Sequence, residues 1–253
     1  MRAGFRDHFS HDPAGYAAHR PTYPRELADF LARAARSRVL AWEAGCGSGQ
    51  LTQLLAERFE RVRATDASAQ QIAAASAHPR IEYRVAPADA SGLPGGCADL
   101  VVAAQAAHWF ELERFYAEAR RVARPGALLA LVSYGKTRIG ADLDPLLDEF
   151  HDRTLAGHWP AERAHVVDGY ARLAFPFERL AVPQLAIERE WGVEELLAYV
   201  RTWSGVVALV RAGKSAELER FESALRAAFS ARRPRRRGGG GASRRGRGTS
   251  GRG

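Results

Sequence analysis

The sequence predicts an α/β fold, a mainly parallel sheet with helices on both faces. Three observations predict it. Short apolar runs alternate with segments of helical spacing from Arg38 to Ser133. A glycine-rich turn, Gly45-Cys46-Gly47-Ser48-Gly49, joins the first apolar run to a helical segment. An acid, Asp66, ends the second run. Strand, glycine turn, helix and strand-end carboxylate make one nucleotide-binding half of a Rossmann-like sheet.

The elements follow in order. A helix begins near Pro24, a residue favoured in a first turn, with Leu27, Phe30, Leu31 and Ala34 on one face. The first strand is Arg38 to Trp42. Its helix runs to about Phe59, with Leu51, Leu54, Leu55 and Phe59 inward. The second strand is Val62 to Thr65, and Ser68 with Gln71 gives a capping-box pattern for a short helix. Ile81 to Val85 is the third strand and Asp99 to Ala103 the fourth. A helix from about Leu112 turns Phe115, Tyr116, Ala119 and Val122 inward and stops at Arg124-Pro125-Gly126. The fifth strand is Ala127 to Ser133. Asp144-Pro145 opens a helix, Phe177 to Trp191 reads as a sixth strand, and helices are expected over Val193 to Trp203 and Ala216 to Phe229. The organisation expected is an N-terminal lid and first helix (1–36), a nucleotide-binding core (37–135), substrate-pocket helices of the same domain (136–230) and a tail (231–253).

Composition narrows the function classes. At 253 residues and 46% hydrophobic content the chain can bury a substantial core. Two cysteines make no disulfide framework, and neither a signal-peptide core nor a membrane-length apolar run is present, so a cytoplasmic setting is expected. The formal charge of +8 misleads: residues 231–253 hold nine arginines and no acid, which leaves −1 on residues 1–230. Nucleic acid is therefore expected only through the tail. The histidines show no metal-ligand spacing, and no metal is expected.

The loop chemistry separates the possible nucleotides. A dinucleotide fingerprint places its third glycine where this chain has Gln50; here that glycine has moved to Gly49. The pattern Glu43-x-Gly45-x-Gly47-x-Gly49, with Asp66 beyond it, resembles motifs I and II of the class I S-adenosylmethionine-dependent methyltransferases. S-adenosyl-L-methionine is then the expected cofactor. Glu43, Gly45, Cys46, Gly47 and Gly49 would surround its methionine part, and Asp66, followed by Ala67, would take the ribose hydroxyls. The adenine clamp should follow the third strand, where Ala88 and Asp89 precede a turn. Asp89 fits either a hydrogen bond from the adenine amino group or a solvated loop acid.

Gln105-Ala106-Ala107-His108-Trp109-Phe110 follows the fourth strand directly, where ligands bind in open α/β sheets. Gln105 falls on the cofactor side, Trp109 on the substrate side, and Phe110 suits a hydrophobic plug. His108 is the histidine placed as a candidate general base.

The resemblance extends further. Phe5 to Ser10, Tyr16, Arg20-Pro21-Thr22-Tyr23-Pro24, Gln105 to Phe110 and Thr202-Trp203-Ser204-Gly205 are similar to the trans-aconitate methyltransferase-like group with the type-11 methyltransferase domain, over about Phe5 to Phe229. That similarity implies an N-terminal helical lid carrying Tyr16 and Arg20, with Trp203 lining the acceptor pocket. It implies methyl transfer to a small molecule, at an oxygen of a carboxylate or hydroxyl. Arg20 would clamp an acceptor carboxylate, pair with the domain, or meet the cofactor carboxylate. The alternatives are an RNA- or protein-directed methyltransferase guided by its basic tail, and a protein that binds the cofactor without turnover. The sequence leaves the oligomeric state open.

The tail, from Ala231, cannot form a core and is expected to be disordered. It lacks aromatics on which bases would stack. Relatives usually close the sheet with an apolar antiparallel strand, and this chain carries none after Phe229. With two lysines against 35 arginines the gene is GC-rich, and an alternate frame of such a gene reads as Arg, Gly, Ala and Pro. The tail is accordingly read as a frameshift product in place of the last strand; if genuine, the sheet is one strand short.

Overall fold

The computed structural model describes residues 22–232. Helix α1 (Arg25–Ala34) leads into β1 (Leu40–Ala44), α2 (Gln50–Ala56), β2 (Arg61–Asp66), α3 (Ala69–Ala73) and β3 (Ile81–Val85). The chain then crosses to β4 (Ala98–Ala104), a 3-10 turn (Ala107–Trp109), α4 (Leu112–Val122) and β5 (Ala123–Val132). The sheet order is β3-β2-β1-β4-β5, and every pairing is parallel. Chain direction across the sheet reverses between β1 and β4, which makes their carboxyl ends the ligand crevice.

Parallel strands covered by helices on both faces read as continuous apolar runs, and β4 is buried throughout. One face packs Leu27 and Leu31 of α1 and Leu51 and Leu55 of α2 against Val62, Leu100 and Val102. The other packs Phe115, Ala119 and Val122 of α4 against Trp42, Val101 and Ala103. Alternate residues of β4 thus serve opposite cores, as the period of two requires. Asp99 ties the bottom of the sheet: Oδ2 accepts from Val39 N and Leu40 N, both at 2.9 Å, while Arg124 donates to Oδ1 at 2.8 Å.

Beyond β5 lies a helical layer: α5 (Asp144–Glu149), a π-helical turn (Phe150–Thr154), α6 (Arg163–Val167), α7 (Val193–Arg201), α8 (Ser204–Arg211) and α9 (Ser215–Ala231). It has its own core of Leu147, Phe150, Leu197, Val200, Trp203 and Leu225. None of the described helices is long and apolar enough to cross a membrane.

Four expectations are corrected. Strand β1 starts at Leu40, two residues late, so Glu43 and Ala44 are strand residues, Glu43 held between β2 and β4 and Ala44 paired with β2. Strand β5 starts at Ala123, with Pro125 and Gly126 inside it and a register irregularity opposite Ala98 to Leu100. Phe177 to Trp191 forms no strand: Leu180 and Val182 are exposed and the segment pairs with nothing in the sheet, leaving β5 at its edge among the described residues. The tail's first two residues are ordered. Ala231 ends α9, and Arg232 grips Asp142 through a two-pronged pair at 2.7 and 2.8 Å. The lid residues Tyr16 and Arg20, and the tail from 233 onward, lie outside the described residues.

Candidate active site at the switch point

The glycine turn between β1 and α2 is held by its neighbours. Gly45 N and Cys46 N donate to Thr65 O at 2.7 and 3.0 Å, and Gly47 N donates to Asp66 Oδ2 at 2.8 Å. Ser68 N donates to Asp66 Oδ1 at 2.8 Å, so both carboxylate oxygens are fixed at the end of β2. Ser68 also caps α3 by accepting from Gln71 N.

Two glycines are dictated by close approach. Gly45 has φ +68°, and a Cβ there would lie 2.6 Å from Ala106 Cβ and 3.0 Å from the Phe110 ring. Gly49 has φ +89°, and its Cβ would strike the Tyr83 hydroxyl at 2.3 Å. Gly45 therefore brings the turn after β1 against the segment after β4. That contact joins the two sequence motifs at the switch point.

Glu43 is 2% exposed, and its Oε2 accepts the Thr52 hydroxyl at 2.6 Å. Burial, with the nearby Asp66 charge, pushes its carboxyl up to about 8. The Cys46 thiol is pushed well up by burial and is no reactive thiolate. Ala88 packs partly buried against the core, while Asp89 is exposed with Arg114 3.9 Å away. Gln105 sits at φ +52°, and its side-chain amide donates to Tyr134 O at 3.0 Å, which ties the end of β4 to that of β5. A cavity of about 580 Å³ adjoins this turn, lined by Tyr23, Ser48, Gly49, Gln53, Ser76 and Arg189.

In the turn after β4, His108 Nδ1 lies 2.8 Å from the Tyr170 hydroxyl, and its ring is 4.7 Å from that of Trp109. Burial, with Arg163 and His165 adding charge, pushes His108 down to about 3. It is neutral at ordinary pH and a weak base. Arg163 also lies over the Trp159 ring at 4.4 Å, and Trp159 is 6.0 Å from Trp203, so this guanidinium links His108 to the helical layer. Trp203 is buried, edge-on to His151 at 5.5 Å and to Tyr199 at 5.7 Å.

Sequence reasoning missed Thr52, Tyr170, Arg163 and His151. Thr52 was findable as a polar residue on the otherwise apolar inner face of α2. Tyr170 comes from a stretch without periodicity, and its φ of +64° is a tertiary constraint that leaves no local signal.

The residues fit S-adenosylmethionine on their own terms: a fixed carboxylate, a buried acid and a turn stripped of side chains where backbone must be approached. The comparisons agree. A methyltransferase domain model matches residues 42–131. A Dictyostelium discoideum protein assigned as a methyltransferase is 33% identical over 229 residues, covering 89% of this chain and 87% of that one. The solved structure of an Anaeromyxobacter dehalogenans protein, assigned as a type II methyltransferase, is 48% identical with a TM-score of 0.78, covering 84% of this chain and 90% of that one. A Mycolicibacterium smegmatis protein described as a probable S-adenosylmethionine-dependent methyltransferase is 31% identical over 115 residues, 45% of each chain. This chain belongs to the class I S-adenosylmethionine-dependent methyltransferases, with a type-11 methyltransferase domain.

Proposed function

We propose that the methyl acceptor is a small molecule, methylated at an oxygen of a carboxylate or hydroxyl, and that the chain falls in the trans-aconitate methyltransferase-like group. The observation that carries this reading is the packing of Ala106 and Phe110 on Gly45. It keeps the segment that carries His108 and Trp109 against the glycine turn, which supports a small acceptor pocket beside that segment. In this reading Glu43, Gly45, Cys46, Gly47 and Gly49 hold the methionine part of the cofactor, Asp66 and Ala67 the ribose, and Ala88 and Asp89 the adenine. Gln105 acts from the end of β4. Trp109 and Trp203 line the acceptor site, with Tyr16 and Arg20 from the N-terminal segment.

When bound, S-adenosylmethionine supplies a methyl group already activated on a sulfonium. What remains for this chain is to orient and desolvate the acceptor. Positioning of that kind is worth about 7 kcal/mol or more, from effective molarities near 10⁵ M. A carboxylate acceptor is ionised at neutral pH and needs no base; a hydroxyl does.

Isothermal titration tests the site: the intact chain binds S-adenosylmethionine, and Asp66→Ala abolishes the heat. Unchanged binding in that variant removes Asp66 from the site. Turnover screened against carboxylic acids, phenols and RNA tests the acceptor class. RNA-dependent turnover lost on deleting residues 231–253 would replace this reading with a tail-guided one.

A further inference from the structure

His151 lies outside the motif segments, on the π-helical turn that follows α5, and its surroundings are those of a proton acceptor. π-Helical turns inside helices are rare and recur at functional sites. The side chain is 6% exposed. Nδ1 is 2.7 Å from Asp152 Oδ1. Asp152 is held ionised, chiefly by the Lys136 ammonium, whose Nζ donates to Oδ2 at 2.5 Å. An ionised carboxylate only accepts, so the imidazole proton sits on Nδ1. The lone pair is then on Nε2, which is buried and has no hydrogen-bond partner among the described residues.

His151 lines a gap of about 10 Å³ shared with Arg163, Tyr199, Trp203 and Lys136. That is room for one water-sized group, such as a hydroxyl. Gly135 and Thr137 also line it, just beyond β5 and following Tyr134, whose carbonyl accepts from Gln105. The gap therefore adjoins the switch-point site, with Arg163 acting on both His108 and His151.

We propose that His151 is the general base for hydroxyl acceptors, with Asp152 as its positioning residue. The proposal rests on the small-molecule reading above and narrows it to acceptors that carry an O–H. In the step, the acceptor O–H bond breaks and an Nε2–H bond forms. The electron pair of the broken bond stays on oxygen as the nucleophile, and the positive charge moves to the imidazole, where Asp152 faces it. The charged groups around the ring are Asp152 from its own turn, Lys136 from the segment after β5, with Asp148 of α5 bonded to that lysine, and Arg163 from α6. Burial, Arg163 and Lys136 lower the His151 pKa and Asp152 raises it, so the base stays neutral at working pH. Among the described residues the hydrogen-bond partner of the His108 ring is the Tyr170 hydroxyl and not a carboxylate, which makes it the poorer candidate.

The test uses the full chain labelled with ¹⁵N-histidine, the His151 signals being assigned by loss in His151→Gln. At pH 7.5 the proton is expected on Nδ1, with Nε2 titrating as one group. Asp152→Asn should mix the tautomers and Asp152→Glu should restore them. A proton on Nε2, or a tautomer indifferent to Asp152→Asn, overturns the proposal without any turnover measurement. With S-adenosylmethionine and phenol as acceptor, His151→Gln should lower kcat by about 10² to 10⁴-fold, leave KM within about threefold and remove the ascending limb of the pH profile. Affinity for S-adenosylmethionine alone should stay within about twofold. A loss confined to KM, with the pH profile intact, reduces His151 to a packing role. Turnover of carboxylic acids but not of phenol, with the expected tautomer, would instead fault the assignment of hydroxyl acceptors.

Discussion

Gly45 and Ala106 meet so closely that a Cβ on the glycine would stand 2.6 Å from the Cβ of the alanine. Neither partner can move, because Gly45 N is bonded to Thr65 O and Ala106 is buried behind β4. Gly45→Ala adds this clash to the strain of a side chain at φ +68°. The expected loss is about 2–4 kcal/mol of stability, with weaker S-adenosylmethionine binding. Urea denaturation and calorimetry check the two effects separately.

Glu43 gives stability a pH dependence of unusual sign. Its carboxyl is pushed up to about 8 in the folded protein against an ordinary value of 4.5. Below pH 4.5 it is protonated both folded and unfolded and contributes nothing to the slope. From 4.5 to about 8 the unfolded chain ionises while the folded one holds its proton, so stability falls as pH rises, by up to about 1.4 kcal/mol per unit. Glu43→Gln keeps an acceptor for Thr52 and removes the titration. Denaturation midpoints at pH 5 and pH 8 should converge in the variant relative to the parent.

Glu118 behaves in the opposite way. Arg121 and the Ser91 hydroxyl and amide donate to it, at 2.5 to 2.9 Å, and hold its carboxyl down to about 2. It anchors the loop from Ser91 to Leu93, which follows Ala88 and Asp89. The stability it contributes is complete above pH 4.5 and is lost as pH falls toward 2. Glu118→Gln should cost about 1–3 kcal/mol at pH 7 and little at pH 2.5, read from denaturation at both pH values.

Tyr170→Phe removes the hydroxyl beside Nδ1 of the half-buried His108 ring. Leaving that nitrogen unpaired should cost about 1–3 kcal/mol. Because the His108 pKa is near 3, its NMR signals should show no titration between pH 5 and 9 in the parent protein. A midpoint near 6.5 would show that its partial burial does not lower the His108 pKa.

The sheet and the cofactor were legible in the sequence because both rest on local rules. Apolar runs, helical spacing and the Ser68 cap are properties of adjacent residues. The glycines and the strand-end Asp66 fall at fixed positions along one strand-turn-helix-strand unit. What failed at this level was also local. Pro125 and Gly126 do follow the end of α4, but β5 starts ahead of them at Ala123, and the loose alternation from Phe177 to Trp191 pairs with neither edge strand, β3 or β5.

Only the tertiary structure decided which side chains face one another across long separations. Glu43 acquires its proton through burial between β2 and β4, which no spacing encodes. His108 was conspicuous in the sequence, yet packing makes it a weak base beside Tyr170, 62 residues away. His151 carried no motif, and its lone pair is directed by a carboxylate that Lys136 keeps charged. The sequence by itself determined the fold class and the donor of the methyl group, because strand–turn–helix geometry is written in neighbouring residues. The surroundings of His108 and His151 were decided by the tertiary packing, because desolvation and charge pairing depend on what surrounds a residue in space.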